Sequence, residues 1–221
     1  MRLGFIGTGS LASFFVEGLA RAGAGYDIMV SPRNAVKAAE LARRFGVAIA
    51  ENVDIVRASD LVVVSVLPQQ AGQVLPGLPF REGQTVLSVM AGIGHSAITQ
   101  LVAPATTAVA MMPGHANALN VGPSVLFPDN RVARAMLEKL GPVHVLNDAR
   151  AYGAASVMGA FSGMSILMMG EAMAWFENQG LTAGEARRLV AETLKGNAEV
   201  MLQSPLPAAD VARGVVTPGG I

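Results

Sequence analysis

The chain has 221 residues, 52% hydrophobic and only 14% charged against about 25% in a typical soluble domain, which predicts apolar surface hidden against another subunit. Its 16 basic and 16 acidic residues balance without a run of like charge, so nothing in it reads as an electrostatic footprint for nucleic acid. The absence of cysteine excludes disulfides and thiolate chemistry, and His95, His115 and His144 lack metal-ligand spacing, so no metal site is expected.

Residues 3–6 form a short apolar run closed by glycines, which reads as a buried strand. Gly4, Gly7 and Gly9 interrupt this apolar start, so it does not read as a secretory signal, and a cytoplasmic enzyme is expected. A helix follows over 10–22, then a strand at 26–30 that Pro32 ends, a helix over 34–45 and a short strand at 47–50. Residues 61–66, LVVVSV, are the clearest buried strand, with further strands at 85–89 and 105–111. Strands alternating with helices at this spacing predict βαβ units and a Rossmann-type, mostly parallel sheet. Strands at 124–127 and 143–146 around a helix over 129–140 extend its edge.

The pattern turns helical at 148–152, which divides the chain into a dinucleotide-binding domain over 1–150 and a smaller all-helical domain over 151–221. Residues 151–170 carry no charge and are long enough to span a bilayer. Their many Gly, Ala and Ser residues favour instead a buried helix at a subunit interface, and no membrane partner is expected. Thr182 and Glu185 form a capping box before a helix whose packed face carries Ala186, Leu189, Val190, Thr193 and Leu194.

The first strand-to-helix turn reads Gly7-Thr8-Gly9-Ser10-Leu11-Ala12, the G-x-G-x-x-A pattern in its proper context. Gly7 permits the tight turn, Gly9 removes a side chain that would block a pyrophosphate, and Ala12 lets the helix approach the sheet. The free N–H groups opening that helix face the phosphates. At the end of the second strand stand Ser31-Pro32-Arg33-Asn34, with Lys37 one turn on and no carboxylate. A hydroxyl and a guanidinium suit a 2′-phosphate, so NADP(H) is the expected cofactor. Val66, Leu67 and Pro68 end the fourth strand and Ala91 and Gly92 the fifth, where such sheets bind ligands. His115, after Met112-Pro113-Gly114, is either a proton donor beside the nicotinamide or a loop histidine without a chemical role.

This ordered set of motifs resembles the pyrroline-5-carboxylate reductase family over nearly the whole chain. GFIGTGSLASFFVEGL looks like the family's opening, and Asn52 stands where the family has an Asn that touches cofactor. SVMAGI at 88–93, Met112-Pro113, the helices from Glu171 and ADVARGVVTPGG from Ala209 are similar to further family motifs. The resemblance implies hydride transfer from NADPH to the C=N carbon of a cyclic imino acid, giving proline, and a helical domain interlocked with a second subunit in a homodimer or higher homo-oligomer. It also implies that Met112, Pro113, Gly219 and Gly220 bind the small-molecule substrate and that Thr217 offers it a hydroxyl. The departures cluster in the substrate half. Leu67 replaces the family's usual Lys, Gly114-His115-Ala116-Asn117 follows Met112-Pro113, and Ile221 replaces the Thr after Pro-Gly-Gly. Another small imine or carbonyl substrate, or nucleotide binding without turnover, are the alternatives.

Overall fold

The computed structural model describes residues 1–215. The expected substrate residues Thr217, Gly219 and Gly220 lie outside the described residues. The chain divides into two compact units, Met1–Phe161 and the residues from Ser162 onward.

The first unit is built on eight strands: β1 Arg2–Ile6, β2 Asp27–Val30, β3 Ala48–Ile49, β4 Leu61–Val64, β5 Thr85–Ser88, β6 Thr106–Met111, β7 Ser124–Phe127 and β8 Val143–Val145. They make one sheet in the order β3-β2-β1-β4-β5-β6-β7-β8. Every neighbouring pair is parallel except β6–β7. The helices are α1 Ser10–Arg21, α2 Ala35–Phe45, α3 Asn52–Ala58, α4 Ala71–Val74, α5 His95–Leu101, α6 His115–Ala118, α7 Arg131–Leu137 and α8 Ala149–Ala155. The expected Rossmann-type architecture is present, with β7 and β8 extending its edge.

The central strands lack a polar face because helices cover both sides, as parallel sheets require. Alternate residues feed two cores. Leu3, Phe5, Leu61, Val63 and Leu87 meet Phe15, Leu19, Leu41 and Met136 on one side. Ile6, Val62, Val64 and Val86 meet Ile55, Leu75 and Ile98 on the other. Close helix approach on the second side needs Gly4: a Cβ there would lie 2.4 Å from both Ile55 and Ser59. The strand expected over 61–66 stops at Val64, and just past its end the Ser65 hydroxyl donates to the Gly7 carbonyl at 2.7 Å.

The helical character read at 148–152 begins with α8, whose Asp148 cap accepts from the Ala151 N–H at 2.8 Å. Contacts keep α8 with the sheet, since Tyr152 is buried in the second core beside Phe127, with ring centroids 6.3 Å apart. Burial pushes the Tyr152 phenol up to about 12, so it stays neutral at physiological pH.

Helix α9, Met158–Asn178, runs across the division between units, and α10 Ala183–Gln203 and α11 Ala208–Val215 follow. Residues 149–178 are long and apolar enough to cross a membrane by length and composition, and none of their most apolar window is buried. Helix α10 starts at the expected capping box: the Glu185 carboxylate accepts from the Thr182 N–H at 2.8 Å, and the Thr182 hydroxyl accepts from the Glu185 N–H at 3.3 Å. Ala186 and Val190 of its expected packed face are buried, whereas Leu189 is exposed.

Candidate active site

In-register pairing of β1, β4 and β5 sets Ile6, Val64 and Ser88 level, so their following residues line one edge of the sheet. A cleft of about 670 Å³ opens there. Gly7, Thr8 and Gly9 line it together with Ser31, Arg33, Asn34, Glu51, Asn52, Ser65, Val66, Leu67 and Gln70. Gly7 has φ +98°, and a Cβ would lie 2.7 Å from the Ser65 backbone, so the turn admits only glycine. Gly9 differs. Its φ of −96° suits any residue, and a Cβ would meet no atom of the described residues within 4 Å. The fold leaves that space open, and it faces the cleft beside the free N–H groups that begin α1. Ser10 and Leu11 belong to that first turn, and Ala12 is fully buried against the sheet.

Ser31 is drawn inward. Its hydroxyl accepts from the Gly7 N–H at 3.0 Å, while the Thr8 hydroxyl donates to the Ser31 carbonyl at 2.6 Å. Ser31 is 3% exposed, so it braces the glycine turn from β2, and Arg33 and Asn34 hold the open rim of the cleft. Asn34 caps α2 by accepting from the Lys37 N–H, and the Lys37 ammonium donates to the Ser10 hydroxyl at 2.7 Å. Asn52 lines the cleft, and its buried Oδ1 has no hydrogen-bond partner among the described residues. A buried amide oxygen without a donor calls for a ligand or water to satisfy it.

The structure brings Val66, Leu67 and the glycine turn into one cleft, while Pro68 begins the short 3-10 turn behind them. Ala91 and Gly92 form an exposed turn after β5, outside that lining. The Met112 side chain is 4% exposed within the first core, which leaves only its backbone for a ligand. Pro113 is half-buried. His115 opens α6, is exposed, and leans on the Phe14 ring with centroids 4.3 Å apart. No polar partner orients it among the described residues. His95 opens α5, and its Nε2 lies 3.0 Å from the Thr107 hydroxyl of β6. Among the described residues no cluster of His, Asp or Glu could hold a metal ion.

Two residues escaped the sequence reading. Ser65, unremarkable inside LVVVSV, ties β4 to the glycine turn. Asn117 is fully buried: its carbonyl accepts from the Gly114 N–H at 3.1 Å and its amide donates to the Gly122 carbonyl at 2.7 Å. Glycines at 114 and 122 around an Asn were the available signal.

Residues 2–92 match the family described as NADP oxidoreductase, coenzyme F420-dependent. Residues 151–221 match pyrroline-5-carboxylate reductase dimerisation. The pyrroline-5-carboxylate reductase of Pseudomonas aeruginosa is 28% identical over 231 residues, covering 99% of this chain and 85% of that protein. The 1-pyrroline-5-carboxylate reductase structure from Streptococcus pyogenes superposes with a TM-score of 0.87 at 19% identity, over 100% of this chain and 87% of that one. The Plasmodium falciparum pyrroline carboxylate reductase, solved with NADP bound, gives 0.85 at 19% identity over the same shares. The likeness carried by scattered motifs therefore extends along nearly the full length: this chain is similar throughout to pyrroline-5-carboxylate reductases, and its residues 151–221 match their dimerisation family.

Proposed function

We propose that this protein reduces the C=N bond of pyrroline-5-carboxylate to give proline, using NADPH. Two electrons arrive at the imine carbon as a hydride, which the cofactor supplies when bound, and one proton goes to the nitrogen. The chain's own contribution is placement. The observation that carries this reading is Gly9: backbone geometry does not demand glycine there, and the missing side chain leaves open space in the cleft.

In this reading the N–H groups of Gly9, Ser10 and Leu11 hold the pyrophosphate, with Gly7, Thr8 and Ser31 shaping the turn. Arg33 takes the 2′-phosphate, and the unpaired amide oxygen of Asn52 accepts from the nucleotide. Val66, Leu67, Pro68, Ala91 and Gly92 flank the nicotinamide, and Pro113 with Thr217, Gly219 and Gly220 receives the substrate. The exposed Leu67, where the family carries a lysine, favours a less anionic cyclic imine as a second substrate class.

The proposed working unit is a homodimer or higher homo-oligomer in the cytoplasm. Met164 and Leu167 of α9 are 69% and 72% exposed, and an apolar surface of this kind marks an interface. One preparation tests both statements. Light scattering is expected to give at least twice the chain mass, and absorbance is expected to show NADPH oxidation by pyrroline-5-carboxylate. Oxidation by 1-pyrroline alone would establish the second substrate class. NADPH binding with no turnover on either would end the enzymatic reading, and a stable monomer would end the oligomeric one.

His115 enters no step of this reading, because its ring rests on Phe14 and nothing polar aims it. His115→Asn is expected to keep kcat within about threefold, whereas loss of a general acid typically costs about 10²–10⁴-fold. A hundredfold fall in kcat, with loss of the acid limb of the pH profile, would restore His115 as proton donor.

A further inference from the structure

We infer that Glu51 sets which nicotinamide nucleotide the cleft prefers: its carboxylate accepts from the ribose hydroxyls of a nucleotide lacking the 2′-phosphate and opposes one that carries it. This rests on the cofactor reading above. The end of β2 holds no carboxylate, but β3 lies beside it, paired Met29 to Ala48 and Val30 to Ile49. The Ala50 N–H donates to the Val30 carbonyl at 3.1 Å, which continues the pairing and brings Glu51 to the Pro32-Arg33 end of β2. Arg33 and Glu51 line the same cleft.

Glu51 precedes α3 in extended backbone, φ −67° and ψ 150°, and its side chain makes no capping hydrogen bond. Neither it nor Arg33 joins an ion pair among the described residues. Two opposite charges thus line one cleft without forming an ion pair among the described residues. Arg33 matches a phosphate, and Glu51 matches the ribose hydroxyls that a carboxylate binds at this end of a Rossmann sheet. The fold supplies from the third strand the acid that the second strand lacks. A phosphate brought beside Glu51 meets a like charge, which costs affinity.

Titration of purified wild type, Glu51→Gln and Arg33→Ala with NADPH and NADH, followed by nucleotide fluorescence, tests this. The ratio Kd(NADH)/Kd(NADPH) is expected to rise about fivefold to tenfold in Glu51→Gln, the size of a partly screened charge effect. It is expected to fall by about tenfold or more in Arg33→Ala, which loses a charge-assisted phosphate contact. Glu51→Ala should shift the ratio in the same direction as Glu51→Gln, separating charge from the amide's own hydrogen bonding. An unchanged ratio in both Glu51 variants, with Arg33→Ala shifted, overturns the inference and leaves the cofactor reading standing. A wild type that binds neither nucleotide overturns both.

Discussion

Replacing Gly9 with valine is expected to leave the chain folded and to weaken NADPH binding by about 100-fold or more, roughly 2.7 kcal/mol. The backbone at Gly9, φ −96° and ψ −169°, is open to any residue, and a Cβ touches nothing among the described residues within 4 Å. The valine methyls would fill cleft space at the mouth of α1 and separate its N–H groups from any phosphate. Stability has little reason to change: the cost is that of a poorer N-cap, about 1 kcal/mol or less. For a chain of this size that lowers the melting temperature by about 2–4 °C. Paired calorimetry and nucleotide titration check the two halves. A Gly9→Val protein that binds NADPH like wild type would remove the observation on which the cofactor reading stands. Gly7 cannot serve for this test, because its φ of +98° and the Ser65 backbone 2.7 Å from a Cβ confound folding with binding.

Asn117→Leu has the opposite expected profile, with a large loss of stability and little change in nucleotide affinity per folded molecule. Asn117 is fully buried and lines no part of the cleft. Its side chain satisfies the Gly114 N–H and the Gly122 carbonyl, at 3.1 and 2.7 Å. Leucine has similar bulk but neither donor nor acceptor, so both backbone groups are left buried and unpaired. Each such group costs about 1–3 kcal/mol, so the variant should lose about 3–5 kcal/mol. That corresponds to a melting temperature lower by about 10 °C. The packing leaves no slack for relaxation, since a Cβ on Gly122 would lie 2.7 Å from Asn117 itself. A loss below about 1 kcal/mol would mean that water replaces the amide, and that Asn117 does not hold the segment between β6 and β7 in place.

The sequence by itself determined the doubly covered sheet, because apolar runs such as LVVV and the residues before Gly7 have nowhere to go but between two helical layers. It determined the glycine turn as well, since a positive φ at Gly7 and an open cleft at Gly9 are local demands written in residue type. The Thr182–Glu185 cap was legible for the same reason: its partners are three residues apart. What only the tertiary structure decided depends on partners far along the chain. Ser31 reads as a phosphate ligand in sequence, yet its hydroxyl turns to Gly7, 24 residues away. Met112 reads as a substrate contact, yet its side chain, just past the end of β6, is buried in the same core as Ala12 and Phe15 of α1. Ser65 carried no pattern and Asn117 only its flanking glycines at 114 and 122, since the backbone groups they satisfy are identified by position in space and not by residue type. Glu51 belongs to the same class: the end of β2 lacks a carboxylate, and only the lateral pairing of β2 with β3 brings the acid that follows β3 into the cleft that Arg33 also lines.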